Sequence, residues 1–294
     1  MSLFIEEVQD QDLGSWKSSE VIARYSRHTP VDRNLNVWSS LVHHCHPSKA
    51  WKTTKNPLIN DPSSFEEAIK SKKWRDAMMK EMESIEKNNI WELTDLSRGV
   101  KPIGVKWIFK TKFKENGEID KFKARLVAKG YAQQYGVDYA EVFAPVARLD
   151  TIRIILTIAA QNSWNVFQLD VKSVFLHGEL KEDIYVQQPN VFVKRDEEDK
   201  VYRLKKALYG LKQASRAWYN KIDAYFVNND FDTCLCEHTL FTKSKEKDDL
   251  IYTGNDWSMC DEFRRSMMSE FNMSDLGMMR YFLGVEMMQS SNGI

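Results

Sequence analysis

Residues 166–178 read Val-Phe-Gln-Leu-Asp-Val-Lys-Ser-Val-Phe-Leu-His-Gly, and this stretch decides how the rest of the chain is interpreted. It begins as a short, mainly apolar run that predicts a buried strand, and the run ends in a single carboxylate, Asp170. Taken alone, an aspartate at a strand end is most often a turn former or a helix cap. The aromatic Phe175 and the distant pair Asp248-Asp249 favour a functional interpretation. Two cations about 4 Å apart share several carboxylate oxygens, so three such aspartates suit a two-metal phosphoryl-transfer site.

Two further segments follow in a characteristic order, Leu208-Tyr-Gly-Leu-Lys-Gln-Ala-Ser-Arg-Ala-Trp-Tyr219 and Met273-Ser-Asp-Leu-Gly-Met-Met-Arg-Tyr-Phe-Leu-Gly284. With the Asp170 stretch they resemble the reverse transcriptase domain of a copia-type retrotransposon Pol polyprotein over residues 63–290. The alternation of helices and short strands without Gly-rich phosphate loops predicts an α+β fold. The resemblance implies right-hand-like polymerase fingers over about 63–145 and a palm over about 146–290, the palm being an antiparallel sheet with packed helices.

Composition sets the outer limits of the interpretation. The chain has 294 residues, 43% of them hydrophobic and 29% charged, which is typical of a globular protein with a sizeable core. Its 42 basic and 42 acidic residues cancel, so any nucleic-acid surface must be local. Residues 1–62 lack periodicity and predict a linker or weakly ordered arm, and no RNase H or integrase part is expected. The longest apolar run is too short to span a membrane, and no targeting signal is recognised. The expected location is intracellular, cytoplasmic or nuclear, or a virus-like particle in an active relative.

Local patterns predict the elements around the site. Ser64 with Glu67 forms a capping-box pattern before a helix whose buried face carries Trp74, Met78, Met82 and Ile85. Asn116-Gly117 predicts a hairpin, and the return strand places Lys121, Lys123, Arg125 and Lys129 on one face. Such a face is either a solvated surface or a phosphate-binding one. Asp150 is predicted to cap the helix that follows it.

The resemblance assigns roles to named residues. The residues are Asp170, Asp248 and Asp249 for catalysis and metal binding; Lys123, Arg125, Phe175, Tyr209 and Gly210 for nucleotide binding; and Phe282, Leu283 and Gly284 for primer support. An active relative is expected to use two Mg²⁺ or Mn²⁺ ions, with an RNA or DNA template, a primer and deoxynucleoside triphosphates as partners. No membrane partner is expected, and the oligomeric state stays open. An aromatic ring beneath the sugar leaves no room for a 2′-hydroxyl, which is the group that separates ribonucleotides from deoxynucleotides.

Three departures from the family pattern stand out. Ser215 replaces a usual proline, and Val191 stands where glycine would allow a positive φ, a departure that suggests backbone strain or a rearranged loop. Most importantly, Ser-Lys-Glu-Lys at 244–247 stands where the family has an apolar strand before Asp248-Asp249. Catalytic carboxylates must be held within about 0.5 Å by their scaffold, so we predict an inactive polymerase. The alternatives are a nucleic-acid-binding module without catalysis and a non-functional translated transposon remnant.

Overall fold

The computed structural model of the protein describes residues 3–6, 60–114, 116–243, 250–251, 257–282, 285–286 and 288–289. The chain divides into two compact units, each discontinuous in sequence. The Asp170 unit comprises Met1–Lys52, Pro145–Lys172 and Asp223–Ile294. The hairpin unit comprises Thr53–Ala144 and Ser173–Ile222.

Helices and short strands alternate along the described residues. The α-helices are α1 (Phe65–Ala68), α2 (Lys72–Lys87), α3 (Leu149–Gln161), α4 (Ala214–Asn228) and α5 (Trp257–Glu270), with 3-10 turns at Gly130–Ala132 and Val174–His177. The strands are β1 (Leu3–Glu6), β2 (Trp91–Thr94), β3 (Val105–Phe113), β4 (Ile119–Ala128), β5 (Phe167–Val171), β6 (Glu179–Val186), β7 (Val201–Lys206), β8 (Asp232–Cys234), β9 (Glu237–Thr242), β10 (Leu250–Ile251), β11 (Met273–Met278), β12 (Tyr281–Phe282) and β13 (Val285–Glu286). Among the described strands all pairings but one are antiparallel, and this mixture of helix and antiparallel sheet confirms the α+β class. None of the helices described combines the length and the apolar character needed to cross a membrane.

The predicted hairpin is present. Strands β3 and β4 pair antiparallel, with Trp107 opposite Leu126 and Lys112 opposite Lys121. Gly117 in the connecting turn has a φ of +83°, a conformation that glycine adopts without steric cost. The Asn-Gly signal therefore located this turn correctly.

Helix α2 covers one face of the hairpin. Trp74 packs edge-on against Phe109 and Phe122, with ring centroids 5.4 and 5.0 Å apart, and Met78 joins the same cluster. Ser64 caps the preceding helix α1 by accepting the Glu67 N–H, as predicted. The predicted single helix is interrupted between Ala68 and Lys72, because the chain turns there before α2 begins. The buried stripe survives the interruption, since its members all lie on α2.

A second sheet, ordered β2-β7-β6, carries the main core of the hairpin unit. Trp91 of β2 stacks on Tyr202 of β7 with ring centroids 4.1 Å apart. Ile90, Leu126 and Leu208 are fully buried in the same cluster. This core joins the base of the hairpin to the segment that begins at Leu208, and both segments carry predicted site residues.

In the Asp170 unit, β5 pairs antiparallel with β11. A separate sheet has the order β10-β1-β9-β8, in which the N-terminal strand β1 lies parallel to β9 and antiparallel to β10. Sequence reasoning did not predict β1. Phe226, Phe241 and Phe271 are fully buried in this unit. The sheet neighbour of β10 is thus a strand from the far end of the chain.

The predicted cap of helix α3 is wrong by two residues. Helix α3 begins at Leu149, so Asp150 lies inside the first turn and Arg148 is the N-cap residue. The buried Glu237 of β9 serves the helix end instead, accepting hydrogen bonds from the Arg148 N–H and the Thr151 hydroxyl, both at 3.2 Å. A carboxylate from a distant strand can satisfy the free N–H groups of a helix end as well as a local side chain can.

The two smaller departures have different outcomes. Val191 has a φ of +70° and is exposed, so the position keeps a positive φ although a valine replaces the usual glycine. Such a conformation costs a β-branched residue on the order of 1–2 kcal/mol. Ser215 is the second residue of α4, and the helix forms without the usual proline.

Candidate nucleotide-binding site

The exposed face of the hairpin is strongly basic. Besides the predicted Lys123 and Arg125, it carries Lys110 and Lys112 of β3, because Lys110 lies directly opposite Lys123 and Lys112 opposite Lys121. Like charges facing each other across a strand pair are destabilising. Lys110 is compensated by Asp61 at 3.2 Å and Lys121 by its neighbour Asp120 at 3.6 Å. Within the described part of the chain, Lys112 and Lys123 form no ion pair, and the face is left with an excess of positive charge.

Arg125 is held from several sides. Its Nη1 donates to Oε2 of Glu81 at 2.6 Å, and its Nη2 donates to the Ser173 hydroxyl at 3.4 Å. The guanidinium lies over the Tyr209 ring, 5.3 Å from the centroid, which is within cation–π range. The side chain is one-fifth exposed, so it is both restrained and reachable from solvent.

Two aromatic residues complete the arrangement. Tyr209 contacts Phe175 edge-on, with ring centroids 5.0 Å apart, and both rings pack half-buried against the core of the hairpin unit. Arg125, Tyr209 and Phe175 come from three separate segments of the chain and form one continuous surface. The structure thus brings together three of the five residues predicted to bind the nucleotide, and Lys123 is on the same basic face.

Gly210 has a clear structural requirement. Its φ is +88°, and a Cβ built there would lie 2.3 Å from the Ala128 carbonyl oxygen. The Ala128 N–H donates to the Tyr209 carbonyl at 2.8 Å, so the backbones of β4 and the Tyr209 segment are in direct contact. Gly130 meets Gly210 in the same way, since its Cβ would lie 2.0 Å from the Gly210 carbonyl oxygen. The close approach that Gly210 permits is therefore to β4, and its predicted approach to a nucleotide stays a prediction.

Electrostatics at this surface shift the titration of two groups. Burial, reinforced by the positive charges of Arg125, Lys112 and Lys121 and opposed by Glu81, lowers the pKa of Lys123 to about 8. Burial raises the pKa of the Glu81 carboxyl, outweighing the opposite effects of the Arg125 charge and the Leu126 N–H. Burial is the largest cause of the shift at Lys123, and the neighbouring positive charges add to it, so the pKa is lowered partly by an excess of positive charge at this surface.

We predict that nucleotide affinity depends on pH through Lys123. The ammonium must be charged to attract phosphate, so affinity for a deoxynucleoside triphosphate should fall as pH rises through about 8. Titrations between pH 7 and 9.5 measure this. The Lys123→Arg variant keeps its charge across that range and should show a flatter profile. Identical profiles for the two proteins would contradict a phosphate contact at Lys123.

Only one of the three predicted metal ligands lies among the described residues. Asp170 lies on β5, one residue before the strand ends, and is exposed opposite Ser274 of β11. Asp248 and Asp249 lie outside the described residues. No cluster of three or more potential ligands occurs in the portion of the chain that is described. The structure therefore provides one of the three carboxylates expected to hold the metal ions, and no metal-dependent step follows from it.

The predicted primer-support segment is also incomplete. Phe282 lies on β12, which pairs antiparallel with β13 through Phe282 opposite Val285. Leu283 and Gly284 lie outside the described residues. The described part of the segment thus forms a pair of short strands, and its role stays a prediction.

Glu81 is the site residue that sequence reasoning missed. It lies on α2, three residues after Met78 and four before Ile85, and its exposed fraction is only 3%. The helical period therefore placed a carboxylate on the buried stripe, and that was a visible signal. A charged residue at a core position requires a partner, and Arg125 is that partner here.

Comparison with known proteins shows the family to which the chain belongs. Residues 88–294 match the family profile described as reverse transcriptase (RNA-dependent DNA polymerase), and the chain belongs to that family. In particular, it is similar to the reverse transcriptase part of Pol polyproteins from copia-like transposons, as its motifs indicated.

Three relatives illustrate the extent of the similarity. The retrovirus-related Pol polyprotein from transposon RE1 of Arabidopsis thaliana is 37% identical over 245 residues, covering 80% of this chain and 17% of the polyprotein. The corresponding polyprotein from transposon TNT 1-94 of Nicotiana tabacum is 35% identical over 258 residues, covering 82% of this chain and 19% of the polyprotein. The transposon Ty1-DR5 Gag-Pol polyprotein of Saccharomyces cerevisiae is 32% identical over 182 residues, covering 61% and 10%. The chain thus spans less than a fifth of the length of these relatives.

Proposed function

We propose that this chain is a reverse transcriptase domain that binds a primer–template and a deoxynucleoside triphosphate, with its basic hairpin over the triphosphate. The observation that carries the proposal is the continuous surface of Arg125, Tyr209 and Phe175 beside the basic face that includes Lys123. In this proposal Lys123 and Arg125 contact phosphate, while Phe175 packs against the sugar and favours deoxyribose. Tyr209 and Gly210 form the second side of the nucleotide site.

The fingers and palm are part of the same proposal. The β3–β4 hairpin and α2 form the fingers, and β5 with its neighbours forms the palm. Phe282, Leu283 and Gly284 support the end of the primer. In an active relative, two Mg²⁺ or Mn²⁺ ions would be held by Asp170, Asp248 and Asp249. When bound, such ions activate the attacking hydroxyl and stabilise the pyrophosphate leaving group.

Catalysis is the part of the function that we propose this copy has lost. Thr242 ends β9, and only seven residues separate it from Leu250, where β10 begins. Their sequence, Lys-Ser-Lys-Glu-Lys-Asp-Asp, is charged throughout apart from one serine. The neighbour of β10 in the sheet is β1 instead of a strand leading into the aspartates. This arrangement supports the second candidate, a module that still binds nucleic acid through its basic hairpin without extending a primer.

Binding of primer–template tests the proposed interface. Replacing both Lys123 and Arg125 with alanine should weaken binding and reduce the slope of log K against log salt by about 1 for each phosphate that the variant no longer neutralises. The measurement is a fluorescence-anisotropy titration of a labelled primer–template at several salt concentrations.

A control variant of equal charge change is available on β7. Arg203 and Lys205 are also next-but-one residues on a strand, and they pair with Asp183 and Glu92. Their double alanine variant removes the same two charges and should leave the salt slope near that of the unmodified chain. Equal reductions in the two double variants would mean that only net charge matters and would overturn the proposed interface.

A further inference from the structure

We infer that Glu81 is a positioning residue, which holds the guanidinium of Arg125 in the orientation that receives the triphosphate. This inference rests on the proposed function, because it gives Glu81 a role only at that site. It goes beyond that function in assigning a role to a buried residue on α2, acting through Arg125.

Burial of the Glu81 carboxylate costs hydration free energy, and the ion pair with Arg125 offsets that cost only in part. Its side chain is 2% exposed, and it lies on the buried stripe of α2 between Met78 and Met82. A buried carboxylate loses its hydration, and a buried ion pair is often no more stabilising than well-packed apolar residues. Stability alone therefore gives little reason for a charge at this point of the core. What an apolar residue could not provide is a fixed location for the partner, Arg125.

The geometry leaves Arg125 able to bind a second anion. Glu81 engages Nη1, and Ser173 lies near Nη2. Of the five guanidinium N–H groups, the Nε–H has no hydrogen-bond partner among the residues described. The guanidinium also lies over the Tyr209 ring. A guanidinium that is already restrained, and that still has N–H groups available, loses less side-chain entropy on binding a phosphate than a freely moving guanidinium does.

The local charge balance favours a polyanionic ligand over a self-contained ion pair. Glu81 is one carboxylate, and the adjoining face carries Lys112, Lys121, Lys123 and Arg125. Asp120 compensates Lys121 at the edge, which leaves the centre of the face positive after the Glu81–Arg125 pair is counted. A triphosphate matches that excess, because several of its oxygens can be shared among neighbouring cations.

The test is the affinity of deoxythymidine triphosphate, with Mg²⁺, for the full chain bound to a primer–template whose next templating base is adenine. Glu81→Gln keeps the size of the side chain and removes its charge. It should weaken binding about tenfold, the order of the difference between a hydrogen bond to a charged acceptor and one to a neutral acceptor. Arg125→Gln should weaken binding at least as much. The double variant should be no weaker than Arg125→Gln alone, because Glu81 acts only through Arg125.

The control is Asp183→Asn. Asp183 pairs with Arg203 at 2.6 Å, the same distance as between Glu81 and Arg125, but on the exposed surface of β6 and β7. This variant should bind the nucleotide as the unmodified chain does. Thermal melting of each variant separates a loss of affinity from a loss of folding. If the role of Glu81 were merely structural, Glu81→Gln would lower the melting temperature and reduce the folded fraction.

The outcomes separate this inference from the function on which it rests. If Arg125→Gln binds as well as the unmodified chain, the proposed nucleotide site and the inference both fail. If Arg125→Gln weakens binding while Glu81→Gln leaves it equal or tighter, the site stands and the positioning role is wrong. Should Glu81→Gln not fold, Arg125→Lys replaces it. Lysine keeps the charge without the planar fork, so undiminished affinity there would also overturn the positioning role.

Discussion

Incubated with a primer–template, deoxynucleoside triphosphates and Mg²⁺ or Mn²⁺, the chain is expected to show no detectable primer extension. Asp170 lies on β5 with a partner strand, so its position is supported. Asp248 and Asp249 follow a charged segment, and the strand after them pairs with the N-terminal β1. A misplacement of a reacting group by about 1 Å can cost on the order of a hundredfold in rate. Because three carboxylates would have to share two cations, a displacement of any one of them would lower the rate.

Insertion of a strand before Asp248 tests the cause of the lost activity directly. Insertion of a nine-residue apolar strand before Asp248 should restore part of the activity, since it would supply the strand that the family pattern has at this point. An insertion of equal length made of Gly and Ser is the matched control and should restore none. Any recovered extension should vanish in the Asp170→Asn background. Robust, Asp170-dependent extension by the unmodified chain would show that the proposed loss of catalysis is wrong.

Substitution of Gly210 by alanine is expected to lower the free energy of unfolding more than any other single substitution considered for this protein. The positive φ of +88° penalises any L-residue, and the added Cβ would lie 2.3 Å from the Ala128 carbonyl oxygen. The obstructing atom is backbone, so it cannot rotate away. A conformational penalty of about 1 kcal/mol and an overpacking cost of about 1–3 kcal/mol give roughly 3 kcal/mol. That loss lowers the melting temperature by roughly 10 °C for a domain of this size.

Gly117 offers a control that separates the two contributions. Its φ is +83°, almost the same as that of Gly210, but a Cβ there would meet nothing within 4 Å. Gly117→Ala should therefore show the conformational penalty alone, roughly a third of the Gly210 effect. Melting curves or urea titrations measure both. Equal destabilisation at the two positions would mean that the backbone of β4 yields more readily than its geometry suggests.

Local chemistry explains what could be predicted from the sequence. Asn116-Gly117 marked the turn because few residue pairs tolerate that backbone conformation, and the capping bond from Ser64 involves only neighbours in the chain. The buried face of α2 followed from its helical period, with Trp74 and Ile85 in place. At Val191 the departure from the family motif indicated strain or a rearranged loop, and the residue has a positive φ. In each case the deciding interactions lie within a few residues of the signal.

Interactions between distant segments explain what was missed. The cap of α3 comes from Glu237, some ninety residues away, so the local candidate Asp150 was the wrong choice. The strand beside β10 comes from the N-terminus, which no local pattern near Leu250 could indicate.

The sequence by itself determined the family, the hairpin and the identity of the basic and aromatic residues, because motifs and short-range periodicity are written in neighbouring positions. Only the tertiary structure decided that Glu81 pairs with Arg125, and that Arg125 meets Tyr209 and Phe175 in one surface. Those interactions bring together segments separated by tens of residues, and their free energy depends on burial and distance, which no single segment specifies.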